Sequence, residues 1–234
     1  MSTNGYRPVL SKKGLLSPDN CIVALIDLQP QMLFGVANMD RQSLIKNNLI
    51  LARAAHVFAV PVVISTVETK DLSDYLWPQI RSVFPNELTI ERSTMNAWDD
   101  AAFVATIQKA GRKKIILAGL WTETRVALPT LQALHDGYDV YVVEDCCGDV
   151  SQLAHANAMT RVVQAGAEPV TALTVILAWQ RDWAAKATYD GVMDIVKTQC
   201  GAFGVGVEYA YTMVHGVAPI TLPPYVAPVA SAQA

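Results

Sequence analysis

The sequence predicts an α/β protein, a Rossmann-like three-layer α/β/α sandwich around a doubly wound, mostly parallel sheet of six strands. Three observations predict it. Short β-branched runs alternate with longer segments of helical period, several runs are apolar on both faces, and three helical segments stop at a glycine just before the next run. The candidate strands are Cys21 to Asp27, Pro61 to Thr66, Leu88 to Arg92, Lys114 to Leu120, Asp139 to Asp145 and Glu168 to Thr174. The helical segments are Ser43 to Ala59, Asp99 to Gly111, Thr122 to His135 and Ser151 to Ala165, with further pieces after Thr174. Gly111, Gly137 and Gly166 sit where a left-handed C-cap belongs. Thr122 reads as an N-cap with Glu123 in the first turn, and Pro129, inside the same helix, predicts a kink. Right-handed crossovers place ligands outside the carboxyl ends of the strands.

Composition narrows the function classes. The 234 residues carry 18 Lys and Arg against 21 Asp and Glu, a net charge of -3, which argues against a nucleic-acid binder. An apolar share of 52% with only 17% charged residues fits one well-buried core with further apolar surface hidden in a homo-oligomer. The longest apolar stretches, Ile115 to Trp121 and Val170 to Trp179, are too short to cross a bilayer. The first twenty residues lack an apolar core of the secretory type. Cys21, Cys146, Cys147 and Cys200 show no paired spacing, which points away from disulfides and zinc and toward the cytoplasm. The chain divides into an arm (1–19), one domain (20–209) and an extension (210–234) whose Pro-rich end is Leu222 to Ala234.

Four strand ends carry polar or unusual residues: Asp27, the pair Glu91 and Arg92, the string Trp121 to Arg125, and Asp145 to Gly148. A carboxylate closing an apolar strand is desolvated on one side, so Asp27 is either an acid or base or the cap of the following turn. Arg92 is either a site cation or an ion-pair partner on an edge strand. Cys146 and Cys147 read as small buried packing residues. None of His56, His135, His155 and His215 has metal-ligand spacing.

The strings LIDLQPQ, ERSTMNAWDD and AGLWTETRVALPTLQALHDGYDVYVVEDCCGDVS, in that order, with RVVQAGAEPVT and RDWA downstream, resemble the isochorismatase-like cysteine hydrolases of the YcaC-like subgroup. The resemblance covers about Asn20 to Tyr209. It implies an Asp, a basic residue and a Cys as reaction centre, without metal or cofactor, acting on small amides through an acyl-enzyme, in a large homo-oligomer (tetramer or octamer). Asp27 matches the family aspartate and Arg92 the basic member. The Leu120–Trp121 junction falls where the family has a non-proline cis peptide beside the oxyanion hole. Phe34 and Trp121 are either apolar pocket walls or core packing.

Arg125 stands where the family has its nucleophilic cysteine. A guanidinium is permanently protonated and cannot attack a carbonyl carbon. In the first turn of a helix it also opposes the dipole by ~0.3–1 kcal/mol, so a compensating carboxylate is expected, and Asp27 is the nearest by family geometry. Several readings stay open. The chain is a hydrolase scaffold without its nucleophile, a silent paralogue in which Arg92 and Arg125 hold a small carboxylate, a cysteine hydrolase into which the arginine was introduced, or a cysteine-independent hydrolase. In that last branch a small residue replaces the thiol and the aspartate acts as acid, whereas Arg125 fills the space.

Overall fold

The computed structural model describes residues 13–70 and 75–217. Six strands form one sheet: β1 (Cys21–Ile26), β2 (Val62–Val67), β3 (Thr89–Arg92), β4 (Lys114–Leu120), β5 (Asp139–Gly148) and β6 (Glu168–Val170). Their order is β3-β2-β1-β4-β5-β6, and every neighbouring pair is parallel. The order reverses at β1 and β4, so their carboxyl ends flank the crevice where such sheets bind ligands.

Alternation along β1 builds both cores at once. Cys21, Val23 and Leu25 pack on one face, while Ile22, Ala24 and Ile26 pack on the other. In chain order α1 (Pro30–Phe34) and α3 (Pro78–Val83) are short, and the first face is covered by α2 (Arg41–Val57), α7 (Ala172–Gln180) and α8 (Lys186–Gln199), through residues such as Leu51, Ile176 and Val192. The second is covered by α4 (Ala101–Ala110), α5 (Ala127–His135) and α6 (Gln152–Gln164), through Phe103, Ala133 and Val162. A strand buried on both sides has no polar face, which is why β1 reads as a continuous apolar run.

Two of the predicted strands change length by three residues or more. β5 runs on to Gly148 because its register against β4 shifts between Leu117 and Gly119. The last predicted strand stops at Val170: Thr171 accepts a hydrogen bond from the Thr174 backbone N–H at 3.2 Å and starts α7 instead. Pro169 is tolerated because β6 is an edge strand. Gly111, Gly137 and Gly166 all have positive φ, as their C-cap reading requires. Lys114, buried at the start of β4, donates to the Gly14 and Leu15 carbonyls and ties residues 14 and 15 to the sheet. The rest of the predicted arm, up to residue 12, and the Pro-rich end from Leu222 lie outside the described residues.

Asp40 caps α2 by accepting the Ser43 backbone N–H at 2.7 Å, and that bond holds its carboxyl below the ordinary aspartate value. Its folded value lies below its unfolded one. It therefore stabilises the fold above the usual aspartate range, and the contribution is lost as pH falls through the folded value. Asp40→Asn keeps a capping oxygen without the charge. Acid unfolding titrations should show a shallower loss of stability below about pH 4 in this variant than in the parent chain.

Candidate active site

β1 ends in Asp27, whose φ of 55° lies in the left-handed region that non-glycine residues seldom enter. The side chain does not cap the following turn. Oδ2 instead accepts hydrogen bonds from Arg92 Nη2 at 2.6 Å and from Arg125 Nε at 3.1 Å. Arg92 closes β3, two strands away, with its side chain 0% exposed, so its ion pair with Asp27 is buried and not at the surface. It also donates to the Thr94 carbonyl. Asp27 Oδ1 and Arg92 Nε are buried without hydrogen-bond partners.

Burial pushes the Asp27 carboxyl above its ordinary range, and the guanidinium groups of Arg92 and Arg125 oppose that push. Burial likewise lowers Arg92 from its ordinary value, against the pull of Asp27. One carboxylate serves two guanidinium groups, and among the described residues Arg125 has no second ion-pair partner.

Local sequence explains how these groups meet. The Leu120–Trp121 peptide at the end of β4 is cis, as the resemblance implies. A π-helical turn over Thr122–Val126 then leads into α5. Arg125 sits on that turn, its backbone N–H bonded to the Trp121 carbonyl at 2.9 Å. Pro129 is the third residue of α5, so it lies in the first turn and not in the helix interior where a kink is expected, and its missing N–H removes no intrahelical bond there. Gly119 lets β4 approach β1 closely, since a Cβ there would meet the Ile26 carbonyl oxygen at 2.6 Å, one residue before Asp27.

Thr122 is not the N-cap. Its hydroxyl donates to the Gly148 carbonyl at 3.2 Å and pairs with His155 Nδ1 at 2.9 Å. Asp149, just beyond β5, takes over by accepting the Glu123 backbone N–H at 2.9 Å. An aspartate directly after a Gly at a strand end was the available sequence signal. Met95 had none: it lies in the loop after β3, yet its Sδ accepts from Arg125 Nη1 at 2.8 Å.

Trp121 is half-buried against the first core, donates from Nε1 to the Met32 carbonyl at 2.8 Å, and lies with its ring 6.0 Å from Arg125 Cζ. Its ring also fills the space beside Gly35, where a Cβ would meet it at 2.9 Å. Phe34, at the end of α1 (Pro30–Phe34), is 72% exposed, so the core-packing alternative fails for it. Among the described residues no group of three or more His, Cys, Asp and Glu is placed to hold a metal, and no helix is long and apolar enough to cross a membrane.

Cys146 and Cys147 are buried in β5, and burial pushes both thiols up. Cys21 is raised to about 11, again by burial, and Cys200 is the partly exposed one. Because the thiolate is the reactive form, a native-state alkylation followed by peptide mapping should modify Cys200 first and leave Cys21, Cys146 and Cys147 protected. Rapid labelling of Cys146 or Cys147 in the folded protein would contradict their packing role.

Comparison with known proteins identifies the scaffold. Residues 21–173 match the Isochorismatase domain. The chain belongs to the isochorismatase family. It is 33% identical over 169 residues to the probable hydrolase YcaC of Escherichia coli strain K12, covering 72% of this chain and 81% of that protein. The crystal structure of the Escherichia coli YcaC gene product, described as an octameric hydrolase of unknown specificity, superposes with a TM-score of 0.81 at 29% identity, over 86% of this chain and 97% of that one. YcaC from Pseudomonas aeruginosa, solved with hexane-2,5-diol and covalent acrylamide, gives a TM-score of 0.80 at 29% identity, over 87% and 98% of the two chains. This isochorismatase-family α/β fold therefore carries the Asp27, Arg92 and Arg125 cluster at the carboxyl ends of β1, β3 and β4.

Proposed function

We propose that this protein is an isochorismatase-family hydrolase scaffold silenced for acyl transfer, in which Arg125 occupies the place of the nucleophile. One observation carries the reading: Arg125 Nε lies 3.1 Å from Asp27 Oδ2, so the side chain at the nucleophile position is an ion-pair partner of the aspartate. In a cysteine enzyme the same carboxylate would take the thiol proton, and a nearby cation such as Arg92 would favour the thiolate. Here neither role has a substrate. The guanidinium offers no electron pair to a carbonyl, and it holds Asp27 Oδ2 in an ion pair. The cysteine-independent alternative needs Asp27 to present a proton beside an open space, and Arg125 fills that space.

The relatives named as YcaC supply the rest of the reading. The exposed Phe34 and the apolar residues Phe203, Val205, Tyr209, Met213 and Val214 near the end of the described chain suit burial against other copies, in an octamer or a tetramer. Four unpaired cysteines suit a reducing cytoplasm. The domain spans 20–209, with Leu120 and Trp121 at the oxyanion side of the site. An ammonia-release assay over a panel of small amides tests the central point. The native chain should match the buffer blank and Arg125→Cys should rise above it, whereas turnover by the native chain overturns the proposal.

A further inference from the structure

Arg125 offers five N–H donors, and the protein satisfies them unevenly. Nε goes to Asp27. Nη1 is shared between the Thr124 hydroxyl at 3.3 Å and the Met95 sulfur at 2.8 Å, and a thioether is among the weakest acceptors in proteins. Nη2 has no hydrogen-bond partner among the described residues, and the Arg125 side chain, though largely buried, is 6% exposed where that of Arg92 is 0%. The carboxylate that holds Arg125 is already shared with Arg92, so the cluster keeps one positive charge in excess. Arg92 cannot use that charge outward, because its side chain is wholly buried. Met95, by contrast, is 55% exposed and is the group that a ligand would move aside.

We propose that the outer edge of Arg125 binds a small organic carboxylate, which accepts from Nη1 and Nη2 as a fork, displaces the Met95 sulfur, and lays a short apolar tail near Trp121 and Met95. This rests on the reading that Arg125 is the resident group at the nucleophile position, and it names the ligand class that such a site takes. Bidentate guanidinium–carboxylate pairing is among the strongest hydrogen-bonded arrangements. A neutral amide of the same shape lacks the charge that the site is missing.

Calorimetric titration and thermal unfolding with sodium butyrate, butyramide, sodium sulfate and sodium chloride at matched ionic strength test the proposal. Butyrate should raise the unfolding midpoint progressively and give measurable heat, while butyramide, sulfate and chloride should not. Arg125→Met should weaken butyrate binding by roughly tenfold or more, as expected for losing a charged hydrogen-bond pair. Met95→Ala, which removes the atom to be displaced, should tighten it. Butyrate acting no better than chloride, sulfate matching butyrate, or equal butyrate binding by the Arg125→Met variant would each overturn the proposal. The silencing of acyl transfer is tested separately, by the ammonia assay, and either result can fail without the other.

Discussion

Arg125→Cys is expected to turn an inert position into the most reactive thiol of the protein. The substitution removes one of the two hydrogen bonds to Asp27 Oδ2 and leaves Arg92 in place at 2.6 Å. A thiol at position 125 then lies beside a carboxylate relieved of one partner and within the field of a buried cation, the combination that generates a thiolate. Treated with acrylamide, the variant should gain one adduct, mapped to position 125, well before Cys200 reacts. The rate should fall as pH drops, because the carboxylate must be ionised to accept the proton. The same treatment of Arg125→Cys/Asp27→Asn should lose most of the gain, by about 10²-fold or more, since that carboxylate is the only acid paired with position 125 among the described residues. If the double variant reacts as fast as the single one, Asp27 has no part in activating the thiol.

Removing Asp27 should cause the largest loss of stability of any single change at the site. Asp27→Ala leaves Arg92 fully buried and, among the described residues, removes the only ion-pair partner of both Arg92 and Arg125. Breaking a buried pair by deleting one partner costs about 3–5 kcal/mol, because an uncompensated charge remains inside. Denaturant unfolding at neutral pH should show that loss as a lower midpoint with an unchanged slope. Arg125→Met behaves oppositely: it deletes the surplus cation, retains the Asp27–Arg92 pair and removes a positive charge from the start of a helix. Its stability should stay within ~1 kcal/mol of the parent or exceed it. A severe loss in Arg125→Met would mean that Arg125, and not Arg92, is the main structural partner of the aspartate.

The sheet was legible in the sequence because burial on both faces leaves a plain mark. β4 matches its predicted span from Lys114 to Leu120, and the six residues of β1 fall within their apolar run. Asp27 and Arg125 were legible for a different reason, since each stands at a strand exit within a string that resembles one family. What the sequence did not disclose is the set of contacts made by loop closure. Met95 reaches Arg125 from thirty positions earlier in the chain, and Asp149 reaches the Glu123 amide from twenty-six positions later. Neither spacing has a local periodicity. Thr122 shows the converse failure: its residue type fits a cap, but the neighbouring Gly148 carbonyl and His155 imidazole claim its hydroxyl. The register shift that carries β5 to Gly148 is likewise invisible in a list of β-formers.

The most direct test of the account is the intact mass of the native chain, Arg125 verified, held with an excess of small amides under conditions in which Arg125→Cys becomes acylated. A single species at the unmodified mass is expected throughout. A stoichiometric acyl adduct on the native chain that forms and decays with amide consumption would contradict it.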